Sequence, residues 1–463
     1  MFDYYIRMIQ IENAVTSILI AFLCAVCQAQ PNIVILFADD AGYMDFGFTG
    51  TDDLKTPRID QLASEGIVCT QGYVTASVCS PSRAGLLTGR YQQRFGHEAN
   101  LRGKDVGLPL SERTLADRLG ELGYTSCAIG KWHLGGNEAQ HPLSRGFDEF
   151  HGFLTGSRTY FSKAKKDTID QQSLMHNREI VPEDDNRYLT DWMAEEANAF
   201  IKSHTESPFF LYVAFNAVHT PMQAPPVLLE EFPDIENQRR QKLAGMTLSL
   251  DIAVGSILDT LKSQGLDKDT IVFFLNDNGG ATINASNNGV LRGMKGSKWE
   301  GGIRVPYVIR WTDNLEPSRY DNPISSLDIA TTTLTLAGDT DESMRDLDGI
   351  DLLPFITRKN KEVPHDVLCW RRGPAGAVRQ GDWKLICVDD QPPLLFNLKE
   401  DISETKNLAE EEVEKVTQLL ALYDVWESEM VEPLWVAGKV WTDRQIAKHK
   451  MDVIGREAER KLP

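Results

Sequence analysis

From residue 32 onward, unbroken apolar runs alternate with segments whose apolar residues recur every three or four positions. NIVILFA (32–38), TSCAIG (125–130), FFLYVAF (209–215), TIVFFL (270–275) and VPYVIRW (305–311) read as strands covered on both faces. Helix patterns lie between them. TPRIDQLASEG (56–66) has Thr at the cap, Pro at the first helical position and Gly beyond the end. SERTLADRLGELG (111–123), the stretch 186–203 and a long pattern over 238–263 read likewise. This alternation predicts an α/β fold: a large, mostly parallel β-sheet sandwiched by helices. From about 363 the rhythm changes. DVLCWRR, GAVRQGDWKLICV and PPLLFNL are short strand patterns joined by turns, followed by a charged helix pattern at 408–429. They predict a smaller C-terminal α+β domain with an antiparallel sheet, over 363–463, after a catalytic domain over 30–362. The polar tail from 436 has no readable role.

The first 29 residues follow another pattern. Arg7 precedes AVTSILIAFLCAVC, an apolar run too short for a comfortable membrane span, and the small residue Ala29 follows it at a plausible cleavage site. This reads as a secretory signal peptide, so the expected location is periplasmic or secreted. The residues before Cys27 fit a lipid anchor poorly. No later segment reads as a stable membrane span. The net charge of −19, without a long basic run, argues against nucleic-acid binding and requires any anionic substrate to be drawn in by a local cationic pocket. Seven cysteines become five once the leader is removed, and an odd count points to one special thiol. Cys369 and Cys387 could pair. Cys69 and Cys127, in apolar runs, belong to the core.

ASVCSPSRAGLLTGRY (76–91) carries the most chemistry. Ser80 is placed to cap a helix that starts at Pro81 and ends at Gly89. Cys79 would then sit at the positive end of the helix dipole, with Arg83 one turn in. A helix N-terminus lowers a thiol's pKa, so these residues alone allow a thiolate nucleophile. Four predicted strands end in charged or metal-capable groups: Asp39 and Asp40, Lys131 and His133, His219, and Asp277 and Asn278. In open α/β sheets the site lies beyond the carboxyl ends of the strands, so these endings should share one rim. Asp39, Asp40, Asp277 and Asn278 offer only oxygen ligands, a set suited to Ca²⁺ or Mg²⁺. Lys131, His133, His219, Lys295 and Arg83 could surround an oxyanion.

CSPSRAGLLTGRY, then GKWHLG, HTP, DNGG and LRGMKGSKWEGGIRVP in that order, resemble the type I sulfatases, the formylglycine-dependent members of the alkaline phosphatase superfamily. GAVRQGDWKLI and LFNLKEDISETKNLA resemble that family's C-terminal domain, and the likeness runs from about 31 to 430. It implies that a formylglycine-generating or anaerobic maturation enzyme oxidises Cys79 to Cα-formylglycine, whose hydrate attacks sulfur. It further implies a cation, Ca²⁺ in such enzymes, held by Asp39, Asp40, Asp277 and Asn278 together with modified Cys79. Arg83 would orient the hydrate, Lys131 and Lys295 would hold sulfate oxygens, His133 would assist collapse of the diol, and His219 would protonate the leaving alcohol. Met294 stands where the family often has Gly, a departure that bears on pocket width. The implied substrate is a sulfated poly- or oligosaccharide, with Arg94, His97, Arg102, Arg158, Arg371 and Arg372 as candidate sugar contacts. Two other readings stand beside it: a phosphoester or phosphonate hydrolase on the same scaffold, and a non-catalytic glycan-binding protein.

Overall fold

The computed structural model describes residues 30–450 except 102, 104–105, 162–171, 183–186 and 341. The leader with Cys27, Arg102 and residues 451–463 lie outside the described residues.

In chain order the elements are β1 (Asn32–Ala38), α1 (Pro57–Ser64), β2 (Ile67–Cys69), β3 (Gly72–Tyr73), α2 (Cys79–Thr88), α3 (Leu115–Glu121), β4 (Thr125–Lys131), β5 (Glu149–Phe153), β6 (Met175–His176), β7 (Glu179–Ile180), α4 (Leu189–Ser203), β8 (Phe209–Ala214), α5 (Gln238–Ser263) and β9 (Thr270–Asn276). They continue with β10 (Arg304–Val305), β11 (Tyr307–Arg310), β12 (Ser318–Tyr320), β13 (Ile324–Ser325), α6 (Asp328–Leu336), β14 (Val367–Arg372), β15 (Ala375–Gln380), β16 (Trp383–Val388), β17 (Leu394–Asn397), α7 (Val413–Ser428) and α8 (Lys439–Lys450). Ten strands form one sheet in the order β12-β2-β11-β9-β1-β8-β4-β5-β6-β7. Its middle, β9-β1-β8-β4-β5, is parallel. Antiparallel pairings begin at β11 on one side and β6 on the other, with β12 again parallel to β2, so the sheet is mixed.

Every residue of β1, β8 and β9 is buried, which explains why these strands read as continuous apolar runs. Val34, Leu36 and Ala38 face a core completed by α1, α4 and α5. Ile33, Ile35 and Phe37 face a second core with α2, α3 and α6. The 26-residue α5 is long and apolar enough to cross a membrane, but 83% of its apolar window is buried inside the protein. VPYVIRW is two short strands rather than one. Pro306, without an N–H, separates β10 from β11, and β11 runs antiparallel to β9.

The four-stranded meander β14-β15-β16-β17 forms a separate antiparallel sheet. Alternate residues face opposite ways. Cys369, Val378, Leu385 and Leu395 pack on α7, whereas Leu368, Trp370, Ile386 and Phe396 pack on Tyr73, Trp299 and Ile303 of the larger unit. Cys69 and Cys127 are buried as expected. Cys369 and Cys387 do not pair. They sit on β14 and β16 with β15 between them, a gap of about 9–10 Å at ordinary strand spacing, beyond disulfide reach.

Candidate active site

The parallel middle of the sheet aligns the carboxyl ends of β1, β4, β8 and β9 on one rim. Asp39 and Asp40 follow β1, and Asp40 turns the chain with φ 63°. Lys131 ends β4, and His133 follows at φ 58°. His219 lies a few residues beyond β8, and Asp277 and Asn278 directly follow β9. Into the rim points the N-terminus of α2, whose first residue is Cys79. Ser80 does not cap this helix. Val78 occupies the cap position without a side-chain bond, while Ser80 Oγ donates to the His133 carbonyl at 2.7 Å and lies 2.6 Å from His97 Nε2. The helix end is as expected: Gly89 adopts φ 67° and its N–H closes on Gly85.

Cys79 Sγ lies 3.6 Å from Asp39 Oδ1 and 3.0 Å from Lys295 Nζ. Lys131 Nζ donates to Asp39 at 2.5 Å, and Lys295 Nζ to Asp40 at 2.5 Å. Arg83 reaches Asp277 Oδ2 through Nη2 (2.8 Å) and Nε (3.2 Å), and through Nη1 donates to the Lys131 carbonyl. His219 Nε2 stands 3.5 Å from Asp40, while its Nδ1 faces the Thr220 carbonyl at 2.7 Å. His133 packs on Gly156, where a Cβ would come within 2.6 Å of the imidazole. Three carboxylates and three permanent cations thus interleave around one thiol.

Burial sets the electrostatics. It pushes the Cys79 thiol up to about 12, Asp277 adds to the shift, and Lys131 and Lys295 only partly oppose it. The helix terminus therefore does not by itself yield a thiolate, contrary to the sequence expectation. Burial also raises Asp40, but Lys295, His219 and Lys131 outweigh it and hold that carboxyl well below the usual range. Asp277 is raised by burial and by Asp39 against the pull of Arg83. Burial lowers His219 to about 4, and lowers His133 well below its ordinary value with help from Lys131, Arg83 and Lys295. Both histidines are neutral imidazoles at neutral pH.

The donor set fits a hard divalent cation. Asn278 donates Nδ2 to Asp40, yet its buried Oδ1 has no hydrogen-bond partner, an acceptor left over beside three carboxylates. Ligand atoms of Asp39, Asp40, Cys79 and His219 all lie within 4.8 Å of one another. Oxygen donors of this charge suit Ca²⁺ or Mg²⁺.

The family model described as Sulfatase matches residues 31–339, a span that contains every one of these groups. The chain belongs to the sulfatase family. It is a sulfuric ester hydrolase, and it is 34% identical over 388 residues to N-acetylgalactosamine-6-sulfatase of Mus musculus, covering 79% of this chain and 73% of that one. It is 33% identical over 477 residues to arylsulfatase A of Bos taurus, covering 90% of each. Among solved structures, Ps i-CgsB in complex with k-i-k-neocarrahexaose superposes with a TM-score of 0.83 at 35% identity, covering 90% of this chain and 98% of that one.

The arginines singled out for sugar binding divide sharply in this sulfatase. Arg94 is engaged by Asp348 and Glu429, and Arg371 by Glu98 and Glu427, so both tie the C-terminal region to the segment after α2. His97 is fully buried between Ser80 and Trp435, and burial lowers it to about 3. Arg158 is buried, its Nε donating to the Thr159 carbonyl. Arg372 comes beside the reactive centre. Its Nη1 and Lys448 Nζ both lie against Gly296, next to Lys295.

Lys448 is the group the sequence did not reveal. The tail folds as α8, with Gln445 exchanging hydrogen bonds with Arg372, Lys448 donating to the Lys295 carbonyl, and His449 accepting from the Lys298 N–H. Lys298 Nζ is buried without a hydrogen-bond partner. Burial, reinforced by Arg372, lowers Lys298 to about 7 and Lys448 to about 8. The basic last turn of α8 was the available signal, but nothing in it indicates where the helix docks.

Proposed function

We propose that this sulfatase removes sulfate from a sulfated carbohydrate, working outside the cytoplasm after loss of its leader, with Ca²⁺ and a formylglycine made from Cys79. The observation that carries the reading is the convergence on Cys79 Sγ of Asp39 at 3.6 Å and Lys295 at 3.0 Å, within a cluster that also holds Asp40 and His219. As a buried thiol, Cys79 is a weak nucleophile. The ion would supply Lewis-acid polarisation of a sulfate oxygen, and oxidation of Cys79 to an aldehyde by a maturation enzyme, followed by addition of water, would supply the attacking hydroxyl.

The remaining chemistry belongs to the chain. Asp39, Asp40, Asp277 and the free Oδ1 of Asn278 would hold the ion. Lys131 and Lys295 would bind sulfate oxygens where negative charge grows. Arg83, fixed by Asp277, would hold the nucleophilic group in line. His133, held neutral with an unpartnered Nδ1, would contact the nucleophilic group. His219 Nε2, once it has taken up a proton, would donate it to the leaving oxygen. The arriving sulfate ester carries a negative charge that raises the affinity of His219 for that proton.

A carbohydrate substrate is supported by Arg372 and Lys448 beside Lys295, where an anionic or hydroxyl-rich neighbour of the scissile ester would sit. It is supported too by the similarity to Ps i-CgsB, solved with a neocarrahexaose. The test joins two measurements on protein secreted from a maturation-competent host. Mass spectrometry of the 76–91 peptide should show the lighter formylglycine form, and sulfate release should be much faster from a carbohydrate sulfate than phosphate release from the matching phosphate ester. Unmodified cysteine in an active preparation would overturn the nucleophile, and faster phosphate release would overturn the substrate class.

A further inference from the structure

At the outer edge of the large sheet, β5 and β6 pair antiparallel with His151 opposite His176. Residues directly opposite in such a pair project from the same face, and the two imidazole centroids are 4.5 Å apart. Glu196 on α4 places its carboxylate between them. Oε2 lies 3.0 Å from His151 Nδ1, and Oε1 lies 3.1 Å from His176 Nε2. Both nitrogens are buried and face Glu196 at short range but outside ordinary hydrogen-bond angles. One ligand atom from each of the three residues lies within 4.8 Å of the others, a spacing that an ion between them could bridge.

The surroundings agree. The Glu–His separations approach the ~3.3 Å that metal–ligand bonds of about 2.0 Å impose on a tetrahedron. The other ring nitrogen of His151 lies 3.2 Å from Glu149 Oε2, the carboxylate expected behind a ligating histidine. The His176 ring is stacked on Trp192 at 5.9 Å and 16°, which fixes its plane. Two imidazoles and one carboxylate suit zinc far better than calcium. None of these residues belongs to the sulfatase centre, which lies at the ends of β1, β4, β8 and β9.

We propose that His151, His176 and Glu196 form a zinc site, separate from the sulfatase centre, that fastens the edge strands β6 and β7 to α4. Three protein ligands leave a coordination position for water. The two edge strands have two residues each and little packing of their own, so a metal link anchors an otherwise open sheet edge.

The test uses the full-length protein saturated with Ca²⁺, titrated with Zn²⁺ against a chromophoric chelator. One zinc equivalent should bind, and Glu196→Gln and His176→Ala should each weaken it about tenfold or more while aryl sulfate turnover stays unchanged. Crystals of the unsubstituted protein soaked in Zn²⁺ should show an anomalous peak between the two imidazoles and Glu196, a result independent of whether the variants fold. Equal zinc affinity in the wild type and Glu196→Gln, or no anomalous peak there at saturating zinc, would reduce the cluster to an ion-pair network and overturn the proposal.

Discussion

Lys384→Met offers the sharpest test of how the two sheets are joined. Lys384 is fully buried on β16, with Nζ 2.8 Å from Glu300 and 2.8 Å from Glu404. Glu300 has other partners, the Tyr73 hydroxyl at 2.6 Å and Arg304 at 3.4 Å. Lys384, Arg304 and Arg379 outweigh its burial and lower its pKa to about 2. The only cation hydrogen-bonded to the Glu404 carboxylate among the described residues is Lys384, and burial raises this carboxyl to about 7 even with Lys384 present. Removing the ammonium leaves a buried carboxylate uncompensated, a loss of about 3–5 kcal/mol. The pH dependence has a definite sign. A carboxyl raised in the folded state takes up a proton there, so its contribution is fully present below about 4.5 and is lost as pH rises through the folded value. Without Lys384 that value rises further, and the destabilisation should be larger at pH 8 than at pH 5.5. Guanidinium unfolding followed by tryptophan fluorescence at both pH values measures this. The double variant Lys384→Met/Glu404→Gln, which removes the stranded charge, should recover at least half the loss. A single variant within about 1 kcal/mol of wild type at pH 8, or a double variant no better than the single, would refute the reasoning.

Cys79→Ser, nearly isosteric in its buried site, should lower aryl sulfate turnover by about 10³-fold or more in a host that modifies only cysteine, with an unchanged circular dichroism spectrum. His219→Ala should slow alkyl sulfates by about 10²-fold or more but nitrophenyl sulfate far less, and equal losses on both would remove His219 as the acid. His97, lowered to about 3 by burial, stays neutral in the folded state while the unfolded chain protonates it below about 6.5. Stability should therefore fall by about 1.4 kcal/mol per pH unit from this residue as pH drops from 6.5 toward 3, and His97→Gln should flatten that slope in denaturation curves. Lys448→Ala should raise KM for a carbohydrate sulfate about tenfold while nitrophenyl sulfate kinetics stay within about twofold.

The sheet and its active rim were legible because each carried a local signal. Strands buried on both faces are apolar throughout, and the polar residues that interrupt them, Asp39, Lys131, His219 and Asp277, must then sit at or beyond their ends. What depends on docking or register was not legible. Ser80 has the composition of a cap, but tertiary partners at His133 and His97 claim its hydroxyl. Cys369 and Cys387 look pairable along the chain until β15 is placed between them. Arg94 and Arg371 look available until their carboxylates are known. His151 and His176 meet because a two-residue strand adds to an edge, and two residues carry no periodicity. Lys448 belongs to a polar helix whose destination only the folded chain reveals.

The burial of Cys79 also dictates an order of events. Only 1% of this residue is exposed, with Lys295 and Asp39 directly on its sulfur and α2 closing behind it. Any catalyst that reworks this side chain must therefore meet an open polypeptide, before the strand at 270–276 arrives to seat Asp277 on Arg83. Premature collapse would seal in a permanent thiol, so a host that folds the chain quickly should yield a well-packed protein that is inert.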